Sequence, residues 1–280
     1  MLVSCKECRS PIRDSVPLCP HCGRPSLFPN VNAAQRAEEQ ASLDERYDTA
    51  CKLADSSGHW ESLRAFEAAA ERSQAVICRP FGEVQRLAFS DDELYVTYYV
   101  RQESRVPGGD AWEAVRSQAD TLVFGDQNKK HIRFAALTLS ETGPLSYGEC
   151  SILLREEMIG HRASLFEENT VFFVRRLGRD EGIPLGYRAE WSHRGRLAVA
   201  KSVNLSGWHS MEPQQLLLEA GATTAEDRFV EAHIWGPITI RSVAKVTVQE
   251  WNFPPPSELA IELVASKLSQ FGVDFVFPGL

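Results

Sequence analysis

The spacing of apolar residues divides the chain near residue 75. Before that point, residues 32–55 are strong helix formers whose apolar positions are mostly alanine, and Gly58 is expected to end their helix. Residues 60–72 have apolar side chains at helical spacing, which predicts a second, more amphipathic helix. Residues 24–31 contain two prolines and no periodicity, so they are interpreted as a linker.

Beyond residue 75, short β-branched and aromatic runs are separated by helical stretches. Strands are predicted at residues 75–78, 93–100, 132–139, 148–154, 229–240 and 243–250, with a further edge strand at 273–276. Helices are predicted at residues 110–124, 213–220 and 258–271, with Asp110 and Ser257 as candidate N-caps. Residues 167–177 and 187–203 favour neither element. Because the strands come in clusters with helices between them, the sequence predicts an α+β fold rather than a repeating βαβ sheet.

The composition is that of an ordinary globular protein: 280 residues, of which 43% are hydrophobic and 24% are charged. No run of about 18 apolar residues occurs, so neither a membrane-spanning segment nor a membrane partner is expected. The net charge of −8 argues against a general basic surface for nucleic acid. The densest group of arginines comprises Arg175, Arg176 and Arg179, with Arg188, Arg194 and Arg196 nearby. This group is either a local anion-binding patch or a solvated helix face.

Four cysteines form two Cys-x-x-Cys pairs, Cys5 with Cys8 and Cys19 with Cys22. Two such pairs at this spacing provide four thiolates for one tetrahedral ion, which predicts a structural zinc ribbon holding Zn²⁺. Gly23 follows the last ligand, at a position where the backbone often needs a positive φ. A closed shell of four thiolates leaves no open coordination position, so the ribbon is not expected to be catalytic.

The alternative for these cysteines is a pair of disulfides in a secreted protein, which would need an export signal that residues 1–10 lack. The remaining cysteines, Cys51, Cys78 and Cys150, are scattered, as expected in a reducing cytosol, so a cytoplasmic location is predicted. The predicted organisation has three segments: a zinc ribbon at 1–28, a helical linker or targeting segment at 29–74, and an α+β domain at 75–280.

Common catalytic motifs are absent from the rest of the chain. Neither Gly-x-x-x-x-Gly-Lys-Ser/Thr nor Gly-x-Gly-x-x-Gly occurs, and neither does His-Glu-x-x-His or Gly-x-Ser-x-Gly. The predicted strand at 229–240 does contain a carboxylate among apolar residues, and strand alternation places Glu231, His233 and Trp235 on one face. Because a charge buried without a partner is costly, Glu231 is expected to face a cleft or a cation.

Four short sequence segments follow one another along the predicted domain: Arg133-Phe-Ala-Ala-Leu137, Tyr147-Gly148, Arg162-Ala-Ser164 and Val230-Glu-Ala-His-Ile-Trp-Gly-Pro237. In this order, over roughly residues 75–250, they resemble an uncharacterised bacterial domain family related to ADP-ribosyltransferase toxins. The chain departs from that family in two places. The usual Ser-Thr-Ser run is missing, and Phe229 stands where a Gln or Glu is expected.

The resemblance implies an ADP-ribosyltransferase-like sheet and an NAD-dependent toxin or defence effector that transfers ADP-ribose to a nucleic acid or protein. Zinc would then be structural and NAD the co-substrate, with the ribbon reaching the target and an antitoxin as a further partner. Glu231 would be the catalytic glutamate, which stabilises positive charge on the ribose. The implied cofactor-binding residues are Arg79, Thr97, Tyr99, Arg133 and Tyr147.

Other readings of the same residues stay open. Arg133 and Arg162 alternatively pair with glutamates, Tyr147 merely begins a strand, Arg79 is an ordinary strand end, and Glu231 pairs with a structural arginine. Two other functions are consistent with the sequence. One is a non-enzymatic adaptor whose zinc ribbon binds nucleic acid or protein, and the other is a hydrolase or nuclease that uses the same carboxylate.

Overall fold

The computed structural model describes residues 2–5, 7–13, 16, 18–24, 28–92, 95, 97, 99, 111–177, 182–202, 205–221, 226–249 and 256–277. The described strands are β1 (Leu2–Ser4), β2 (Pro11–Arg13), β3 (Gln74–Arg79), β4 (Ile132–Thr138), β5 (Cys150–Leu154), β6 (Ala163–Phe166), β7 (Arg188–Glu190), β8 (Leu218–Glu219), β9 (Arg228–Phe229), β10 (Glu231–Trp235), β11 (Val243–Val248) and β12 (Asp274–Val276). The described helices are α1 (Pro29–Ala34), α2 (Ala37–Ser56), α3 (Trp60–Ala70), α4 (Phe81–Ala88), α5 (Ala111–Phe124), α6 (Glu156–Ile159), α7 (Thr170–Leu177), α8 (Arg194–Ser202), α9 (Pro213–Leu217) and α10 (Glu258–Gln270).

The body is built on an eight-stranded sheet with the order β12-β11-β5-β3-β4-β10-β6-β7. All neighbouring strands are antiparallel except β11 and β12, which are parallel. The fold is therefore mixed α and β with a mostly antiparallel sheet, in agreement with the predicted α+β class. Strand β10 lies inside the sheet, and its Glu231 is opposite Ala136 of β4 and Phe166 of β6.

The two faces of the sheet have different environments. Alternate residues of β10, Ala232 and Ile234, point into the main hydrophobic core, which also takes in Leu63 of α3 and Leu197 of α8. On the opposite face, Trp235 packs in a separate apolar cluster, while Glu231 and His233 are buried polar residues. The alternation predicted for this strand is confirmed, and it sends both titratable side chains to the face away from the main core.

Helices α1 and α2 replace the single helix predicted at 32–55. Pro29, a favoured first residue of a helix, begins α1 inside the predicted linker at 24–31, of which residues 25–27 lie outside the described part of the chain. Helix α1 packs against β6 and β7, and α2 packs against α8. These helices therefore contribute to the packing of the sheet, while the predicted domain boundaries stay a prediction.

Other elements differ from the prediction for local reasons. Helix α4 was missed, although its buried Phe81, Val84 and Leu87 recur at helical spacing. Of the strand predicted at 93–100, the structure describes Tyr95, Thr97 and Tyr99, and none of these three is in a strand.

The strand predicted at 229–240 is divided into β9 and β10, and β10 ends before Gly236, whose φ is 80°. The helix predicted at 213–220 ends at Leu217, because Leu218 pairs with Phe229 in the β8–β9 ladder.

The predicted C-terminal elements are confirmed. The Ser257 hydroxyl caps α10 by accepting a hydrogen bond from the Ala260 N–H at 3.3 Å, and β12 forms the edge of the sheet. The other candidate cap, Asp110, lies outside the described residues. None of the helices that the structure describes is both long and apolar enough to cross a bilayer.

Candidate functional site

The first candidate site is the cysteine cluster, where the four Sγ atoms of Cys5, Cys8, Cys19 and Cys22 all lie within 4.8 Å of one another. The separation is 3.7 Å between Cys5 and Cys22 and 3.6 Å between Cys8 and Cys19. Four sulfurs at about 2.3 Å from a tetrahedral Zn²⁺ are about 3.8 Å apart, so the arrangement fits such an ion. The four cysteines can therefore bind a metal ion, as predicted.

The two Cys-x-x-Cys loops have the same backbone geometry. In the first loop, the N–H of Arg9 donates to the carbonyl of Cys5 at 2.9 Å; in the second, Gly23 donates to Cys19 at 2.8 Å. Each of these residues follows the second cysteine of its pair, and their φ angles are 60° and 69°. The positive φ predicted for Gly23 is confirmed, and Arg9 adopts the same conformation without a glycine.

The second candidate site is a cavity of about 220 Å³ over strands β3, β4 and β10, called here the sheet pocket. Five of the residues predicted from the sequence to act in the body line it: Arg79, Thr97, Arg133, Tyr147 and Glu231. These residues are far apart in the sequence, and the antiparallel order β3-β4-β10 brings their strands side by side. Arg116 and Asn169 line the same pocket.

Glu231 is almost fully buried, with 1% of its surface exposed, and its two carboxylate oxygens have different surroundings. Oε2 accepts hydrogen bonds from the Thr170 N–H at 3.0 Å and the Thr170 hydroxyl at 2.8 Å, and lies 3.1 Å from Nε2 of His233. Oε1 makes no hydrogen bond with the described residues and lies 4.0 Å from the guanidinium of Arg116. One oxygen is therefore held in place while the other remains available to a ligand.

The position of Glu231 follows from the start of α7. The Asn169 side chain accepts a hydrogen bond from the Val171 N–H at 3.0 Å and caps this helix. The Thr170 N–H is left without a partner inside the helix, and it donates to Glu231 instead. A carboxylate is favoured at a helix N-terminus, so α7 both positions and stabilises the charged form of Glu231.

Arg116 of α5 was not identified from the sequence. Its Nε lies 3.2 Å from Oδ2 of Asp120, one helical turn further on, and its guanidinium carbon lies 3.9 Å from the centre of the Phe134 ring. Tyr99 does not line the sheet pocket, but its hydroxyl donates to the same oxygen of Asp120 at 2.7 Å. The Arg-x-x-x-Asp spacing on a partly apolar helix was the available signal.

Burial and charge act against each other at these carboxylates. Burial opposes the ionisation of Glu231, but the hydrogen bond with His233 and the charge of Arg116 outweigh it, so the pKa of Glu231 is below its usual value. Burial raises the pKa of Asp120, because the Arg116 guanidinium only partly compensates. The surroundings therefore favour the ionised form of Glu231 more strongly than that of Asp120.

The other predicted residues are held on the pocket wall. Arg79 donates to the Cys78 carbonyl at 3.0 Å and lies over the Tyr95 ring at 4.7 Å, and Arg133 donates to the His131 carbonyl at 2.8 Å. Tyr147 packs edge-on against Phe229. These contacts leave the arginines next to the cavity.

The backbone at position 148 explains why a glycine follows Tyr147. Its φ is 142°, and a Cβ there would lie 2.2 Å from the backbone carbon of Arg79, so only glycine lets the chain pass so close to β3. This close approach places the neighbouring Tyr147 in the sheet pocket.

Arg162 and the arginine group have other roles. Arg162 is buried and donates to the backbone carbonyls of Trp235 and Pro237, so it supports the end of β10 rather than a ligand. Within the arginine group, the side chains of Arg188, Arg194 and Arg196 form ion pairs with Glu39, Glu156 and Asp44. Arg175 and Arg176 are exposed on α7, and Arg179 lies outside the described residues.

No protein family model matches the chain, and no curated protein matches its sequence significantly. The resemblance to ADP-ribosyltransferases is therefore not supported by any matched relative.

Proposed function

We propose that the body is an NAD-dependent ADP-ribosyltransferase-like enzyme whose sheet pocket holds the nicotinamide–ribose end of NAD. The observation that carries this proposal is the Glu231 carboxylate, which lies inside a pocket lined by Arg79, Arg116 and Arg133 and has one oxygen, Oε1, without a hydrogen bond to the described residues. An ionised carboxylate among three cations suits a ligand that combines anionic phosphates with a sugar that becomes positively charged.

The chemistry assigns separate roles to these groups. Breaking the bond between the ribose C1′ and nicotinamide sends the electron pair to the nicotinamide nitrogen, and positive charge develops on the ribose. Glu231 would accept a hydrogen bond from a ribose hydroxyl through Oε1 and stabilise that charge. The arginines would hold the hydroxyls of the ribose, and the Tyr147 ring would stack on the nicotinamide. A nucleophile on the target then forms the new bond to C1′.

The metal ribbon has a different task in this proposal. With Zn²⁺ bound, its four-sulfur shell would be closed, so it would stabilise a small fold that brings a nucleic acid or protein target to the body. A cytoplasmic bacterial toxin or defence effector restrained by an antitoxin would have this organisation. If the body proves inactive, the ribbon as a non-enzymatic adaptor becomes the better explanation.

The direct test follows nicotinamide release from NAD by the purified full chain, together with transfer of labelled ADP-ribose to protein or nucleic acid. We expect Glu231→Gln to lower the rate about 10²–10³-fold, because it removes an oriented charge at the reacting centre. Glu157→Gln, the same change at an exposed position on α6, is the matched control and should retain the wild-type rate.

The outcomes separate the candidate functions. Nicotinamide release without any labelled acceptor identifies a hydrolase that uses the same carboxylate. If the wild-type chain neither binds NAD nor releases nicotinamide from it, the enzyme proposal is wrong. Unchanged labelling by a folded Glu231→Gln protein would remove Glu231 from the reaction, so thermal unfolding of each variant has to accompany the assay.

A further inference from the structure

A second cavity, of about 740 Å³, adjoins the sheet pocket and is called here the side cleft. The two share Asn169, and the chain passes from Asp227 and Arg228 in the side cleft directly to Phe229 in the sheet pocket. The two cavities therefore lie side by side. The volume of the sheet pocket is smaller than the about 300–1,000 Å³ that is typical of sites for drug-sized ligands. A dinucleotide therefore needs more room than the sheet pocket alone provides.

Lys201, near the end of α8, is a half-buried cation of the side cleft. Its Nζ donates to the Leu216 carbonyl at 3.0 Å, the one hydrogen bond it makes with the described residues. Burial lowers the pKa of Lys201 to about 8, although Glu167 and Glu168 act in the opposite direction. An anion bound beside this amine would restore its charged form.

The acidic residues around Lys201 are mostly committed to other partners. Glu167 pairs with Arg46, and Glu168 accepts a hydrogen bond from Arg176 at 2.7 Å. Both carboxylate oxygens of Asp227 are also occupied, one by the Gly221 N–H at 2.8 Å and the other by the Ser146 hydroxyl.

Among the described residues of the cleft wall, the remaining charged groups are Lys201 and Arg228, opposed by the exposed Glu219. The guanidinium of Arg228 forms no salt bridge and no hydrogen bond with the described residues. Glu219 is the partner of Arg228 in the β8–β9 ladder, so two cations face one carboxylate and the net charge of these three groups is positive. An ammonium and a planar guanidinium are the pair of groups that suits phosphate oxygens.

We propose that the side cleft binds the diphosphate arm of a nucleotide through Lys201 and Arg228, with the sugar at the other end of the same ligand in the sheet pocket. The inference rests on the proposed function for the identity of that ligand. The anion site itself rests on the charges and contacts of the side cleft.

Calorimetry on the full chain with two probes tests this assignment: ADP, which carries the phosphate arm, and nicotinamide riboside, which carries none. We expect Lys201→Met and Arg228→Gln each to weaken ADP binding roughly 10–100-fold, the effect of losing one hydrogen bond to a charged group. Nicotinamide riboside should bind both variants as it binds the wild type. Lys201→Arg, which keeps the charge, should retain most of the ADP affinity. Lys52→Met, on the exposed face of α2, and Arg72→Gln, just after α3, are the matched controls.

The pH dependence provides a second readout. Lys201 faces Glu167, Glu168, Glu219 and Arg228, and it loses its proton as the pH rises through about 8. ADP affinity of the wild type should therefore fall between pH 7 and pH 9, and it should fall less in Lys201→Arg, because arginine stays charged over that range.

Several results would overturn the assignment. One is an ADP affinity that is insensitive to both Lys201→Met and Arg228→Gln but is lost in Arg116→Gln, which would place the phosphates in the sheet pocket. Absence of ADP binding to the wild-type chain would also overturn it. If ADP binds in a Lys201-dependent way and nicotinamide is never released from NAD, the side-cleft site stands and the proposed enzyme activity fails.

Discussion

The cysteine ribbon and the sheet pocket are two sites built in opposite ways. The ribbon's ligands all lie in the segment from Cys5 to Cys22, and two short loops with the same hydrogen-bond pattern place them around one point. The sheet pocket takes its groups from strands β3, β4, β9 and β10, from helix α5 and from segments between these elements, and Arg116 is far along the chain from Glu231. Local spacing specifies the first site, whereas the second exists only when the whole sheet has formed.

The largest effect should come from removing the ribbon's metal. We expect one zinc ion per chain, and Cys8→Ser or a strong chelator should abolish its binding, since structural zinc contributes about 10–16 kcal/mol in small metal-dependent folds. Metal analysis together with hydrogen exchange would measure this. Residues 2–24 should lose protection while the sheet of the body keeps its own.

Cys51→Ser is the matched control, because Cys51 lies in α2 and outside the cysteine cluster. A protein purified without chelator that contains no metal would contradict the ribbon itself. Cooperative loss of protection in both the ribbon and the sheet would contradict the contrast between a local site and a global one.

The same contrast explains how much the sequence could predict. The cysteine spacing indicated the metal ligands and the positive φ of Gly23, because every contact involved is local. The isolated carboxylate of Glu231 indicated a polar spot on an apolar strand, and the expectation that it faces a cleft or a cation agrees with the structure. Its partners Arg116 and Thr170 come from other elements, so their proximity depends on how helices α5 and α7 pack over the sheet.

The contacts of two further residues could not be predicted from the sequence for the same reason. Asn30 was assigned to a linker, yet it is buried, and its side chain reaches the backbone of β10. Lys201 falls in a stretch whose pattern favoured neither helix nor strand. In both cases the side chain donates to a carbonyl of another element, that of His233 for Asn30 and that of Leu216 for Lys201, and single-sequence periodicity does not contain such contacts.

Arg116→Gln tests the long-range site with the next largest effect. The change removes the cation that lies between two buried carboxylates, Asp120 and Glu231, and breaking a buried ion pair in this way costs about 3–5 kcal/mol. Urea unfolding should show this loss at pH 7. Arg72→Gln, at an exposed position after α3, should leave the stability within about 0.5 kcal/mol.

The pH dependence of the stability of Arg116→Gln tests whether Arg116 lowers the pKa of Glu231. Glu231 has a lowered pKa in the folded protein, so its stabilising contribution is present above its unfolded pKa and is lost as the pH falls through the folded pKa. Without Arg116 the folded pKa rises, and the loss should begin at a higher pH than in the wild type. Identical acid-unfolding curves for the two proteins would mean that Arg116 does not act on Glu231.

The smallest effect concerns Asn30, which connects the segment after the ribbon to the strand that carries Glu231. Its side-chain N–H groups donate to the carbonyls of Arg162 and His233 at 3.1 and 2.8 Å, and lie 3.3 Å from the Ser164 hydroxyl. Asn30→Ala leaves buried acceptors without a donor, and it should cost about 1–3 kcal/mol in urea unfolding without changing the zinc content.

The same helix provides the control for this last prediction. The side-chain nitrogen of Asn32, also on α1, is buried and makes no hydrogen bond in the described structure, so Asn32→Ala should cost little or nothing. Equal losses from the two substitutions would show that the Asn30 hydrogen bonds do not hold α1 to β6 and β10. A loss confined to Asn30→Ala, with the metal still bound, would show that the sheet pocket depends on residues just beyond the ribbon but not on the ribbon's metal shell. Asn30 would then be the contact through which the segment after the ribbon stabilises the sheet.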